Sequence, residues 1–167
     1  MSTTATLSTE LTDLRSSLTR HREFLRVTVR GMSDEQARQT PTASELSLGG
    51  LIKHVRTVEE AWMRFAVGGA ELMESVQSDW VNGFRMLEHE TLAGLLADYE
   101  ETAAKTERLL EELDLDTAHP LPVAPWFEQG ATWTVRRVVL HLIAETSQHA
   151  GHADIIRETI DGQKTMG

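Results

Sequence analysis

The sequence predicts an all-α fold, a bundle of four long helices joined by two long connections. Two observations carry this prediction. Apolar residues recur at three- and four-residue steps over long segments, and no segment shows a convincing strand-like alternation. The 167 residues also suffice for one domain spanning positions 1–167, a size that buries roughly 70% of the unfolded surface.

The elements follow in order. Leu7, Leu11, Leu14, Leu18, His21 and Leu25 form one seam of a first helix of about 22 residues, which Gly31 ends. Ser33-Asp34-Glu35-Gln36 reads as a capping box opening a short turn of helix before Pro41. A second long helix starts near Ser47 or Gly49 and stops at Gly68-Gly69, with Ser47, Leu51, His54, Val58, Ala61 and Phe65 along its seam. Lys53, Arg56, Glu59, Glu60 and Arg64 fall mostly on its other faces. A short helix is expected around Glu71–Val76, then loop through Trp80, Asn82-Gly83 and Phe84.

Leu92, Leu95, Leu96, Tyr99, Ala103, Thr106, Leu109, Leu110 and Leu113 mark the third long helix. A connection bearing Pro120, Pro122 and Pro125 follows. Thr132 or Thr134 then caps a fourth helix that runs to about Ile160, before Asp161-Gly162. Helices of roughly 20 to 26 residues are about 30–39 Å long, which suits a four-helix bundle. The long connections, 69–90 and 114–132, permit a topology other than simple up-down-up-down.

Composition excludes several functions. Sixteen basic against 26 acidic residues give a net charge of −10, which argues against nucleic-acid and anionic-membrane partners, since both need basic faces. The stretch Met1–Thr6 lacks the basic and apolar regions of a signal peptide, and no run approaches a membrane span. A soluble, cytoplasmic protein is expected. Cysteine is absent, so any metal must sit on histidine and carboxylate.

The fourth helix supplies that chemistry. Val135, Val138, Leu142, Glu145, His149, His152 and Ile156 continue one apolar stripe whose middle is Glu-His-His. On a helical wheel His149 lies ~40° to one side of Glu145 and His152 ~20° to the other; His141 is also ~40° away, at the stripe's edge. A buried carboxylate needs partners, and His54 occupies a seam position on its own helix. Two readings fit. One is a zinc, nickel or ferrous site with an open position, the other a Glu–His hydrogen-bond network without metal. His-Glu-x-x-His and the Glu-x-x-His of di-iron bundles are both missing.

His21 reads as an interior or lining histidine, and His89 and His119 as exposed. Trp62, Trp126 and Trp133 read as packing, although they could line a pocket. Gly49-Gly50 and Gly68-Gly69 lack the strand and lysine of a phosphate cradle. The run Glu107, Glu111, Glu112, Asp114 and Asp116 reads as a solvated helix end.

Ser-Leu-Gly-Gly-Leu-Ile-Lys-His-Val (47–55) with Glu59-Glu60-Ala61-Trp62, and His-Leu-Ile-Ala-Glu-Thr-Ser-Gln-His-Ala-Gly-His-Ala-Asp-Ile-Ile-Arg-Glu (141–158), resemble two helices of the DinB/YfiT-like superfamily. The resemblance covers nearly the whole chain. It implies a four-helix bundle with a divalent ion, zinc foremost, held by three residues. The His-Glu-His pattern of the mycothiol-dependent maleylpyruvate isomerase maps onto His54, Glu145 and His149, with His152 or His141 as the alternative ligand. It further implies a low-molecular-weight-thiol S-transferase working with mycothiol on a small electrophile, with His152, His21 or His141 moving protons, and pairing into a homodimer. Hydrolysis by metal-activated water, or a non-catalytic metal-binding bundle, are the competing expectations.

Overall fold

The computed structural model describes residues 8–76, 79 and 81–165; Leu7 of the first seam and Trp80 of the first long connection lie outside the described residues. The elements are α1 (Thr9–Val27), α2 (Asp34–Arg38), α3 (Leu48–Glu74), α4 (Leu92–Glu112), β1 (Ala118–Pro120), β2 (Thr132–Thr134) and α5 (Val135–Asp161). The all-α prediction is right, with a three-residue antiparallel pairing of β1 and β2 added. Among the described residues no helix is long and apolar enough to cross a membrane.

Local sequence explains where the helices begin. Ser8, Ser33, Ser47, Thr91 and Thr134 each precede a helix, and each side-chain oxygen accepts a backbone N–H of the first turn. Ser33 and Gln36 form the expected reciprocal capping box. Helix α1 stops at Val27, one turn before Gly31, which takes φ +75° at the end of that turn. Gly68-Gly69 breaks α3 as predicted: Gly69 has φ +78° and ψ −163°, a region essentially reserved for glycine. Helix resumes beyond it to Glu74. His119, expected at the surface, is instead half-buried at this break, its Nε2 3.2 Å from the Ala66 carbonyl oxygen.

The long helices form a ring in which α1 packs on α5, α5 on α3, and α3 on α4, while α4 closes more thinly onto α1. The chain therefore crosses the bundle twice. One crossing is the predicted connection after α4. The other is the segment from Thr28 to Ser47, because the connection after α3 joins neighbouring helices.

Two apolar clusters fill the bundle. Leu25, Leu51, Val55, Leu95, Ala153 and Ile156 belong to one; Leu18, Trp62, Phe65, Leu110, Val138 and Leu142 belong to the other. A polar layer separates them on every long helix. Arg22 lies between Leu18 and Leu25, Glu59 between Val55 and Trp62, Thr106 before Leu110, and Thr146 after Leu142, all four buried. Arg22 donates to both Glu59 carboxylate oxygens (Nη2 at 2.5 Å, Nε at 3.1 Å), and Thr106 donates to Oε1 at 2.6 Å. Glu107 accepts from Arg22 (2.9 Å) and Arg15 (2.7 Å).

This layer corrects two expectations. Glu59 is not on a solvent face, and Glu107 is not simply a solvated helix end. The cause is the position of α3, which packs against both α4 and α5, so its buried arc is wider than one seam. That arc runs through Leu48, Leu51, Ile52, Val55, Glu59, Trp62, Met63 and Ala66, while His54, Val58 and Ala61 are only half-buried.

A candidate metal centre between the third and fifth helices

His54 lies in the second turn of α3, just after the Ser47 cap. Glu145 and His149 stand one turn apart on α5, so both project toward the same point. Facing packing of the two helices brings His54 to them. Glu145 Oε2 is 3.2 Å from His149 Nε2 and 4.0 Å from His54 Nε2. One ligand atom from each of the three lies within 4.8 Å of the other two.

The cluster is half-open. The side chains of His54, Glu145 and His149 are 20%, 28% and 11% exposed. The expectation that Glu145 sits in the middle of a buried stripe is thus corrected. The buried arc of α5 passes through Leu142, Thr146, His149 and Ala153, which leaves Glu145 and His152 at its margin.

Charge is tuned for cation binding. Burial, helped by the neighbouring His149, lowers the His54 pKa to about 4, so at neutral pH one of its two ring nitrogens carries a free lone pair. The hydrogen bond from His149 holds Glu145 below the usual carboxylate range against the effect of burial, with His141 and His54 assisting. Burial also lowers the His141 pKa.

The remaining histidines separate clearly. His152 Nδ1 is 3.3 Å from His149 Nδ1, so it touches the triad through a ligand candidate. His141 Nε2 is 3.9 Å from Glu145 Oε1, and its ring lies against Trp62 and Trp133 at 4.9 and 5.3 Å. His21 is half-buried on α1 with its ring 5.9 Å from Phe24; no hydrogen bond, ion pair or ring contact among the described residues ties it to the triad. His89 is exposed, as expected.

Both long connections reach the site. Trp133, on β2 at the end of the second connection, stacks on Trp62 at 4.6 Å and borders His141. From the first, Phe84 stacks on His54 with centroids 3.8 Å apart and planes 21° from parallel. Sequence reasoning left Phe84 in a loop. Its only trace in the sequence is indirect, in the Gly49-Gly50 pair.

The donor set fits zinc. Two imidazoles and a carboxylate are a usual three-ligand set for an open zinc site, and atoms about 2.0–2.1 Å from a tetrahedral centre lie ~3.4 Å apart. The 3.2 Å between Glu145 and His149 is close to that spacing; the 4.0 Å from Glu145 to His54 and the 4.8 Å span of the whole set are wider.

The profile of the mycothiol-S-transferases matches residues 13–162. The chain belongs to the mycothiol-S-transferase family. This places it in the DinB/YfiT-like group that its second and last long helices resemble. The matched span includes every residue of the triad together with His21, His141 and His152. A crystal structure of a conserved protein from Enterococcus faecalis shares the fold: at 16% identity it superposes with a TM-score of 0.66 over 95% of this chain and all of that one. Among curated proteins none matches the chain.

Proposed function

We propose that this mycothiol-S-transferase family member is a divalent-metal-dependent S-transferase that joins mycothiol to a small electrophile. The observation that carries the proposal is the convergence of two imidazoles and one carboxylate from two helices within 4.8 Å, in a chain of this family. His54, Glu145 and His149 would hold the ion, with zinc the best match to the donors. When bound, the ion supplies a positive charge that favours thiolate over thiol.

The other steps fall to the chain's own residues. His54, uncharged at neutral pH, offers a lone pair without first losing a proton. Glu145 contributes the one negative charge of the set. His152 would steady His149 as a ligand: with the Nε2 lone pair of His149 turned to the ion, its Nδ1–H donates to His152 Nδ1, 3.3 Å away. Of the three histidines expected to move protons, His152 lies 3.3 Å from a triad nitrogen, His141 3.9 Å from a Glu145 oxygen, and His21 is packed on Phe24, so His152 is the proton carrier we assign. In the overall reaction the thiol S–H bond breaks, sulfur bonds to the electrophilic carbon, and the leaving group departs with its electron pair. The thiol proton passes through His152 to solvent. Having no cysteine, the protein cannot supply the nucleophilic sulfur itself.

The test is turnover. Purified protein is incubated with mycothiol and an alkylating electrophile such as monobromobimane, with and without zinc. Product should form well above the uncatalysed rate with zinc, and His152→Ala should slow it by about 10²-fold. Zinc-loaded protein that gives no rate above background would overturn the proposal.

A further inference from the structure

We propose that Phe84 is a positioning residue for the metal centre, held over His54 by a strap whose backbone docks on α3 because position 50 is glycine. The inference rests on the metal-site reading above and adds what orients one of its ligands.

The two histidines of the triad are held differently. A metal-binding imidazole is normally fixed by a hydrogen bond to its second nitrogen, which sets ring orientation and tautomer. His149 has such a partner in His152. His54 has none: among the described residues no hydrogen bond is made by its Nδ1. Its ring is instead covered by Phe84, nearly parallel at 3.8 Å. A stack at that distance blocks rotation of the imidazole out of its plane and leaves its edge, with Nε2, directed at Glu145. Phe84 also lies 5.9 Å from the His149 ring, so it covers the site on the side of both histidines.

The strap is built for this placement. Asp79 caps the turn before Phe84, accepting from the backbone N–H of Val81 and Asn82 at 3.2 and 3.1 Å. Lys53, next to His54, donates to the Arg85 carbonyl oxygen at 3.3 Å. Met86 is buried in the core. The backbone of Phe84 runs so close to α3 that a Cβ on Gly50 would lie 1.8 Å from its carbonyl oxygen and 2.4 Å from its carbonyl carbon. A Cβ on Gly49 would lie 2.4 Å from Met86 Sδ. The glycine pair that makes no phosphate cradle therefore has a physical role: Gly50 admits the Phe84 backbone against α3, and Gly49 leaves room for the Met86 side chain.

The test compares zinc affinity of metal-stripped protein by competition with a chromophoric chelator, alongside the melting temperature of each metal-free variant. Loss of a partner that orients a ligand weakens metal binding roughly 10–100-fold. Phe84→Ala should therefore bind zinc about tenfold more weakly, and Phe84→Tyr, which keeps the stack, should stay within about twofold of wild type. Gly50→Ala should weaken zinc as much as Phe84→Ala although it retains the ring, because it displaces the strap. If Gly50→Ala does not fold, the Phe84 pair decides alone. Phe84→Ala with wild-type affinity, or Phe84→Tyr as weak as Phe84→Ala, would overturn the inference. Wild-type protein that takes up no zinc would overturn the metal-site reading as well, an outcome distinct from either.

Discussion

Replacing Arg22 with alanine is expected to destabilise the protein by about 3–5 kcal/mol, because it strands a charge in the middle of the bundle. The Glu59 side chain is 1% exposed and that of Arg22 6%. Two of the three hydrogen bonds to the Glu59 carboxylate come from Arg22, leaving only Thr106 when the guanidinium is removed. Glu107 would keep Arg15, but no group on α1 would be left to neutralise Glu59. The pair itself is not the source of the stability. Bringing both charges out of water costs nearly what their attraction returns, so Arg22→Met with Glu59→Leu should recover most of the loss. Urea unfolding of the two variants checks this. A cost below ~1 kcal/mol for Arg22→Ala, the range of an exposed pair, would mean the layer is not desolvated as described.

Replacing Glu145 with alanine is expected to have the largest effect on metal binding. It removes the only charged member of the ligand set and the one residue to which both His54 and His149 point. A metal that binds only the folded state stabilises it by RT ln(1 + [L]/Kd), about 2.7 kcal/mol at a hundredfold excess over Kd. Wild-type protein should therefore melt at a lower temperature after chelation, whereas Glu145→Ala should melt at the same temperature with or without chelator. The half-open position of Glu145 keeps its effect on the metal-free fold small. Glu145→Gln separates charge from shape: it keeps the side-chain volume but should also lose the metal-dependent shift. An undiminished shift in Glu145→Ala would remove this residue from the ligand set.

How far the sequence reveals this molecule depends on whether a feature is local. Helix starts are local: a hydroxyl that accepts from the next turn is visible in the chain, and the caps Ser33, Ser47 and Thr134 stand at positions the sequence marks, whereas Ser8 and Thr91 are not marked by it. The break at Gly68-Gly69 is likewise local, since the positive φ of Gly69 needs nothing but its own lack of a Cβ. The convergence of Glu145 and His149 follows from helical spacing alone, and His54 stood out because a histidine interrupted an apolar seam.

The features that the sequence hides depend on pairs distant along the chain. Glu59 looks like a surface residue among Arg56, Glu60 and Arg64, and only the packing of α1 shows that Arg22, 37 positions earlier, meets it. Phe84 is one aromatic in a loop until the strap is seen to lie on Gly50. His119 reads as a polar loop residue because its partner is a carbonyl exposed by a helix break 53 positions away. Periodicity also misplaced Glu145 and His152 toward the centre of the stripe, since α5 rolls to bury Thr146 and Ala153 and so turns the site outward.

The proposal that His54, Glu145 and His149 would hold a divalent ion whose charge favours the mycothiol thiolate is tested most directly by optical titration of the cobalt-substituted protein with mycothiol. Stoichiometric mycothiol should produce a thiolate-to-cobalt charge-transfer band in the near ultraviolet, and Glu145→Ala prepared in the same way should show none. A cobalt-loaded wild-type protein whose spectrum is unchanged by mycothiol would contradict the proposal.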